Sequence, residues 1–215
     1  MNLTENLQQL QTEIEAKLPE DAKAKMQKFV VDLADSGIVN NSLKVGQKVP
    51  EFSLQNAVGK TVDLKSLLAE NPVVISFYRG GWCPYCNMEL RGLQKYLPQI
   101  TELGAKLIAI SPETPDNSLS TTEKNELTFE VLSDVGNQIA KQFGLVFQLP
   151  EELRPIYQSF GIDLPAYNGD ESFELPIPGT YVVAKDGTVT HAFVDPDYTK
   201  RLDPEEIINV LKKFK

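Results

Sequence analysis

Apolar residues over the first 38 positions recur at helical spacing. Leu3, Leu7, Leu10, Ile14 and Leu18 step by 4, 3, 4 and 4 residues, which draws one stripe along a helix. Pro19 interrupts it. A second stripe runs through Met26, Phe29, Val30 and Leu33, with Gly37 placed as a C-terminal cap. Both are too short for a free-standing coiled coil. They predict two amphipathic helices packed on the main body; a contact within a homodimer is the second reading of the same stripes. Residues 39–50 are turn-rich and predict a linker, dividing the chain into a helical extension, 1–38, and a main domain, 45–215.

Beyond the linker the pattern alternates between strand and helix. Phe52 to Gln55 and Thr61 to Leu64 flank Asn56-Ala57-Val58-Gly59-Lys60 and predict a hairpin. Val73 to Tyr78 is the richest strand signal, followed by a helix with Leu90, Leu93, Leu97 and Ile100 on one face. Leu107 to Ile110 and Thr128 to Leu132 predict two more strands, with a polar helix between them at 115–126. Val135 to Phe143 reads as a helix closed by Gly144, and residues 145–178 as a long irregular loop insertion. Tyr181 to Ala184 and Thr188 to Val194 form a hairpin around Lys185-Asp186-Gly187, and Pro204 to Phe214 closes as a helix capped by Asp203. This order predicts an α/β fold, a central mixed sheet flanked by helices.

Composition narrows the function. With 215 residues, 41% hydrophobic and 24% charged, the chain reads as an ordinary globular protein able to bury its own core. Its net charge of −9 argues against nucleic-acid binding and against anionic membrane surfaces. No apolar run reaches the ~20 residues that span a bilayer. The start lacks the basic end and apolar stretch of a signal peptide, so a cytoplasmic location is expected. Two cysteines and one histidine are too few for a structural zinc site, and no phosphate-cradling glycine motif is present, so no metal or cofactor is expected. His191 reads as a surface strand residue. The chemistry falls to Cys83 and Cys86.

Both lie in Phe77-Tyr78-Arg79-Gly80-Gly81-Trp82-Cys83-Pro84-Tyr85-Cys86, between a strand and a helix. A helix N-terminus carries free N–H groups and partial positive charge, which favour a thiolate. Arg79 and Arg91 add charge if they turn inward. Gly80 and Gly81 allow a sharp turn, and Pro84 enters the helix without forfeiting a hydrogen bond. Three-residue spacing puts the sulfurs on one face, with Cβ atoms about 5–6 Å apart, so a disulfide closes with modest adjustment. Trp82 and Tyr85 flank the pair; they shape a pocket or cover the helix start. A C-x-x-C beside a βαβ pattern reads as thioredoxin-like.

Across roughly residues 45–215 the chain resembles the peroxiredoxin-like branch of the alkyl hydroperoxide reductase/thiol-specific antioxidant family, which has a thioredoxin-like fold. The resemblance rests on Lys48-Val49-Pro50-Glu51-Phe52-Ser53-Leu54, on Phe77-Tyr78, and on Tyr181-Val182-Val183-Ala184-Lys185-Asp186-Gly187. Laid without gaps on the family pattern F-Y-P-x-x-x-T-x-x-C, Cys86 takes the position that attacks peroxide, Cys83 that of the threonine and Arg79 that of the proline. A late family arginine, in a pattern like R-x-x-F, is matched here by Pro178. Pro178 instead resembles the cis-proline that thioredoxin-like reductases set opposite their cysteines, which would bring the backbone of Ile177 beside the sulfurs. Pro176 is a second candidate.

The resemblance implies a thiol peroxidase that acts on hydrogen peroxide or organic hydroperoxides. Cys86 would attack, Cys83 would close the disulfide, and a thioredoxin-type or glutathione-type reductant would reset the pair. The alternative is a dithiol–disulfide oxidoreductase, with Cys83 attacking a disulfide substrate. A third reading is a non-enzymatic redox sensor whose N-terminal helices meet a partner.

Overall fold

In the computed structural model of the chain, residues 2–214 are described. The first stripe forms α1 (Leu3–Glu15), started by a capping box between Asn2 and Glu5. The second forms α2 (Glu20–Asp35), and Gly37 turns the chain in the left-handed conformation into a single helical turn, α3 (Ile38–Asn41). The stretch after it is tied down rather than free. Leu43 donates its N–H to the Phe143 carbonyl (3.1 Å) and Gly46 to that of Val189 (2.8 Å).

The hairpin follows as β1 (Ser53–Asn56) and β2 (Thr61–Asp63), then α4 (Leu64–Glu70), capped by Asp63. Strand β3 (Val73–Phe77) leads into the long helix α5 (Pro84–Glu102), and β4 (Lys106–Ser111) into α6 (Pro115–Lys124) and β5 (Glu130–Ser133). The next helix, α7 (Gln138–Gln142), is shorter than its apolar spacing predicts. Asn137 is left-handed at φ 56°, and the Asp134 carboxylate accepts the N–H groups of Ile139 and Ala140, so residues 135–137 are spent on the turn.

Residues 145–178 are not an irregular insertion. They hold β6 (Val146–Gln148), a 3-10 turn at Glu151–Leu153, α8 (Arg154–Ser159), α9 (Leu164–Asn168) and β7 (Glu174–Pro176), with β6 antiparallel to β7. Two of the prolines in this stretch, Pro155 and Pro165, stand in the first turns of α8 and α9, where a missing N–H costs nothing. The chain ends with the hairpin β8 (Gly179–Val183) and β9 (Val189–Val194), then α10 (Pro204–Leu211) capped by Asp203.

Seven strands form one mixed sheet in the order β2-β1-β5-β4-β3-β8-β9. β3, β4 and β5 are parallel and the other pairings antiparallel. Every residue of β3 is buried, so its side chains alternate between two cores. Val73, Ile75 and Phe77 join one, with Phe29 and Leu33 of α2, Leu64 and Leu68 of α4, and Tyr157 of α8. Val74 joins the other, with Leu3 and Leu7 of α1, Leu90 and Leu93 of α5, and Ile207 of α10. Both N-terminal stripes are thus used on the chain's own body, one helix on each face of the sheet. Among the described residues no helix is long and apolar enough to cross a membrane.

Candidate active site

Strand β3 ends at Phe77, and six residues bring the chain round to Pro84, the first residue of α5. Gly80 adopts φ 151°, and a Cβ there would lie 2.3 Å from Nε1 of Trp82. At Gly81 a Cβ would meet Oγ1 of Thr121 at 2.0 Å. The first glycine therefore serves conformation and packing, the second packing alone. The buried carboxylate of Glu113, just after β4, anchors the turn: it accepts the Gly81 N–H (2.9 Å) and the Thr121 hydroxyl (3.2 Å). Asn87 of α5 donates to the Gly81 carbonyl (2.7 Å).

Cys83 is the N-cap residue of α5 and Cys86 lies in its first turn; both are reduced and buried. The two thiols influence each other's ionisation and shift in opposite directions. Burial alone would push Cys83 up. The hydrogen bond from Cys86 and the charges of Arg79 and Arg201 outweigh it, so Cys83 is brought down to about 6. Cys86 is driven well up, by burial first and then by its bond to Cys83 and the charge there. The two titrations are coupled, with ionisation favoured at Cys83 over Cys86.

Two guanidinium groups supply the positive charge. Arg79 is 2% exposed and lies 4.8 Å from the ring centre of Trp82, 5.6 Å from Tyr157 and 4.4 Å from Tyr198. One of its nitrogens donates to the Tyr157 hydroxyl (2.6 Å), while Nε and Nη1 have no hydrogen-bond partner among the described residues. Arg201, in the segment between β9 and α10, donates to Cys86 Sγ (3.1 Å) and to the Glu89 carboxylate. Burial, only partly offset by Arg201, pushes Glu89 up to about 7. Arg201 thus brings positive charge to Cys86 in place of the arginine missing at Pro178. It lies 115 residues from that cysteine, in Tyr198-Thr199-Lys200-Arg201, which has no motif to mark it.

Cys83 lies on a cavity of about 340 Å³ that Cys86 does not line. Arg79, Trp82, Tyr85, Tyr157 and Tyr198 also line it, and α1 and α2 close the opposite side. Of the residues anticipated from sequence, Arg79, Trp82, Cys83 and Tyr85 meet here and Cys86 lies directly behind. Arg91 turns away to Asn125 (2.8 Å), and His191 lies on β9 opposite Val182, outside the cavity. Pro178 corrects an expectation. No peptide bond among the described residues is cis, and Pro178 does not line the cavity. The chain runs straight from β7 into β8, and the Ile177 N–H is taken by the Leu145 carbonyl (2.8 Å), so a substrate strand cannot pair with it. Tyr157, Tyr198, Arg201, Glu89 and Glu113 were not singled out from sequence: Tyr157 comes from α8, Tyr198 and Arg201 from the segment between β9 and α10, Glu113 from just after β4, and Glu89 from α5 itself. No group of three His, Cys, Asp or Glu side chains among the described residues could hold a metal ion.

Residues 45–192 match the AhpC/TSA family. The chain belongs to that family. It is similar to the putative peroxiredoxin bcp of Haemophilus influenzae, at 36% identity over 105 residues, which covers 49% of this chain and 67% of that protein. It is similar to a chloroplastic peroxiredoxin Q of Triticum aestivum, at 29% identity over 181 residues, covering 84% and 70%. The fold is similar to that of the peroxidoxin BcpB of Mycobacterium tuberculosis, with a TM-score of 0.64 and 21% identity over 80% of this chain and 99% of that one. With these peroxiredoxin relatives, the AhpC/TSA chain is a thiol-dependent peroxidase of thioredoxin-like fold.

Proposed function

We propose that Cys83 is the attacking thiolate of this peroxidase and Cys86 the thiol that resolves it, the reverse of the roles an ungapped alignment implies. One observation carries the reading: of the two sulfurs, the one on the cavity is also the one whose ionisation is favoured. The Cys83 thiolate attacks one peroxide oxygen, the O–O bond breaks, and the departing oxygen leaves as water or an alcohol after taking a proton. Cys83 is then a sulfenic acid. The Cys86 sulfur displaces its hydroxyl, which leaves as water with the Cys86 proton, and the disulfide closes. Two electrons have passed from the pair to the peroxide, and either one thioredoxin-type dithiol or two glutathione-type monothiols return them, leaving as a disulfide. The positive charge of Arg79 and Arg201 suits both the thiolate and the leaving oxygen.

Disulfide exchange is the weaker reading, because it needs a free backbone edge beside the sulfurs and Ile177 does not offer one. The test is to trap the sulfenic acid with a cyclic diketone in Cys86→Ser and Cys83→Ser after mixing with peroxide. Cys86→Ser should give the adduct on Cys83 at close to the wild-type oxidation rate, and Cys83→Ser should oxidise at least about a hundredfold more slowly. An adduct on Cys86 of Cys83→Ser at the wild-type rate would restore the roles implied by the alignment.

A further inference from the structure

The family match begins at residue 45, so α1 and α2 lie outside it, yet both wall the cavity that leads to Cys83. Ile14 and Leu18 come from the first helix and its exit; Met26, Val30 and Val31 come from the second. Across from them stand Trp82 and Tyr157. The cavity is lined mostly by apolar side chains, and Cys83 and Arg79 line it with them. The Arg79 guanidinium puts positive charge in the same cavity as the sulfur, which suits the oxygens of a peroxide.

The size says what else must be present. About 340 Å³ is roughly ten times the ~30 Å³ that a water takes in the liquid, and falls within the range of sites that enclose small organic ligands. Hydrogen peroxide, about two waters in size, would meet Cys83 and Arg79 and leave the apolar walls empty. A hydroperoxide with a ring or a hydrocarbon chain would fill both ends.

We propose that the N-terminal helices are the specificity wall of this enzyme, and that they select hydroperoxides bearing a bulky apolar group over hydrogen peroxide. The inference rests on the peroxidase reading with Cys83 on the cavity. Met26 and Val30 are the specificity-determining residues, because they line the same cavity as Cys83 from an element outside the matched residues. Exposed Val31 lies at the mouth.

The experiment uses the full chain and Trp82 fluorescence, rapidly mixing reduced protein with cumene hydroperoxide or with hydrogen peroxide. The readout is the ratio of the two second-order rate constants. In the wild type it should exceed one by tenfold or more. Val30→Phe, which fills the cavity, should lower it about tenfold, and Val31→Glu, a surface change that keeps the fold, should lower it several-fold. A wild-type ratio near one, or a ratio unmoved by both variants, would overturn the wall while leaving the peroxidase standing. Oxidation no faster than that of free cysteine with either peroxide would remove the peroxidase reading itself. If both variants instead slow re-reduction by a dithiol and leave the ratio alone, the cavity serves the reductant and the proposal fails.

Discussion

Cys83 and Cys86 carry the same side chain three residues apart, and their surroundings drive them in opposite directions. Both are desolvated. The difference lies in the direction in which their mutual coupling shifts each thiol and in the cavity, which Cys83 lines and Cys86 does not. The sign of the pH dependence follows. A thiol held at about 6 loses its thiolate as pH falls through that value, so its alkylation by a neutral reagent should climb through about pH 6 and level off above. Arg79→Met removes one of the two charges that lower it while leaving Arg201 in place. The midpoint should rise and the rate at neutral pH fall several-fold, with far-ultraviolet circular dichroism unchanged. A midpoint that stays near 6 would mean that Arg79 does not set the ionisation of Cys83.

Among the elements, the turn between β3 and α5 depends on close approach more than on propensity. At Gly81 the backbone lies against Thr121 of α6, and the same threonine hydrogen-bonds the Glu113 carboxylate that holds the Gly81 N–H. Gly81→Ala has no room for its methyl and should destabilise the protein by about 1–3 kcal/mol, as overpacking does elsewhere. Gly81→Ala/Thr121→Ser, which trims the opposing side chain, should recover only part of the loss, because Oγ1 remains the nearest atom. Urea denaturation measures both. The extension depends on burial instead: Leu7 of α1 is 4% exposed against the α5 side of the sheet. Leu7→Ala should cost about 2–5 kcal/mol by the same method, and a loss below about half a kcal/mol would show that α1 is not part of the folded unit.

At the scale of the molecule, the ion pair of Arg201 and Glu89 joins the segment before α10 to α5 and stands against Cys86. Both side chains are 1% exposed, so neither charge has water to fall back on. Arg201→Met would leave a buried carboxylate uncompensated, and removing one partner of such a pair typically costs about 3–5 kcal/mol. Arg201→Met/Glu89→Gln removes both charges and should be clearly more stable than Arg201→Met. Thermal unfolding of the two variants checks this, and equal stability would mean that Glu89 is already neutral in the fold.

Much of this was legible in the chain itself. Alternation and helical spacing are local properties, so the sequence by itself determined the strand-to-helix junction, the paired cysteines at the helix start, the two hairpins and the stripes of α1 and α2. The glycines before Trp82 were legible for the same reason. Where local signals have two meanings, the reading missed: prolines that begin α8 and α9 look like breakers, and Asn137 gives no sign that it spends a turn of α7. Pro178 resembled a cis-proline by its place in the chain, but its surroundings keep an extended path with Ile177 already bonded. Only the tertiary structure decided which charges reach the sulfurs. Arg201, Tyr157 and Tyr198 lie far from the cysteines in sequence, and nothing in their neighbours records where packing will carry them. The same holds for the cavity. An amphipathic stripe states that a helix will bury one face; the sheet beneath it decides that two such helices, one on each side, meet above Cys83.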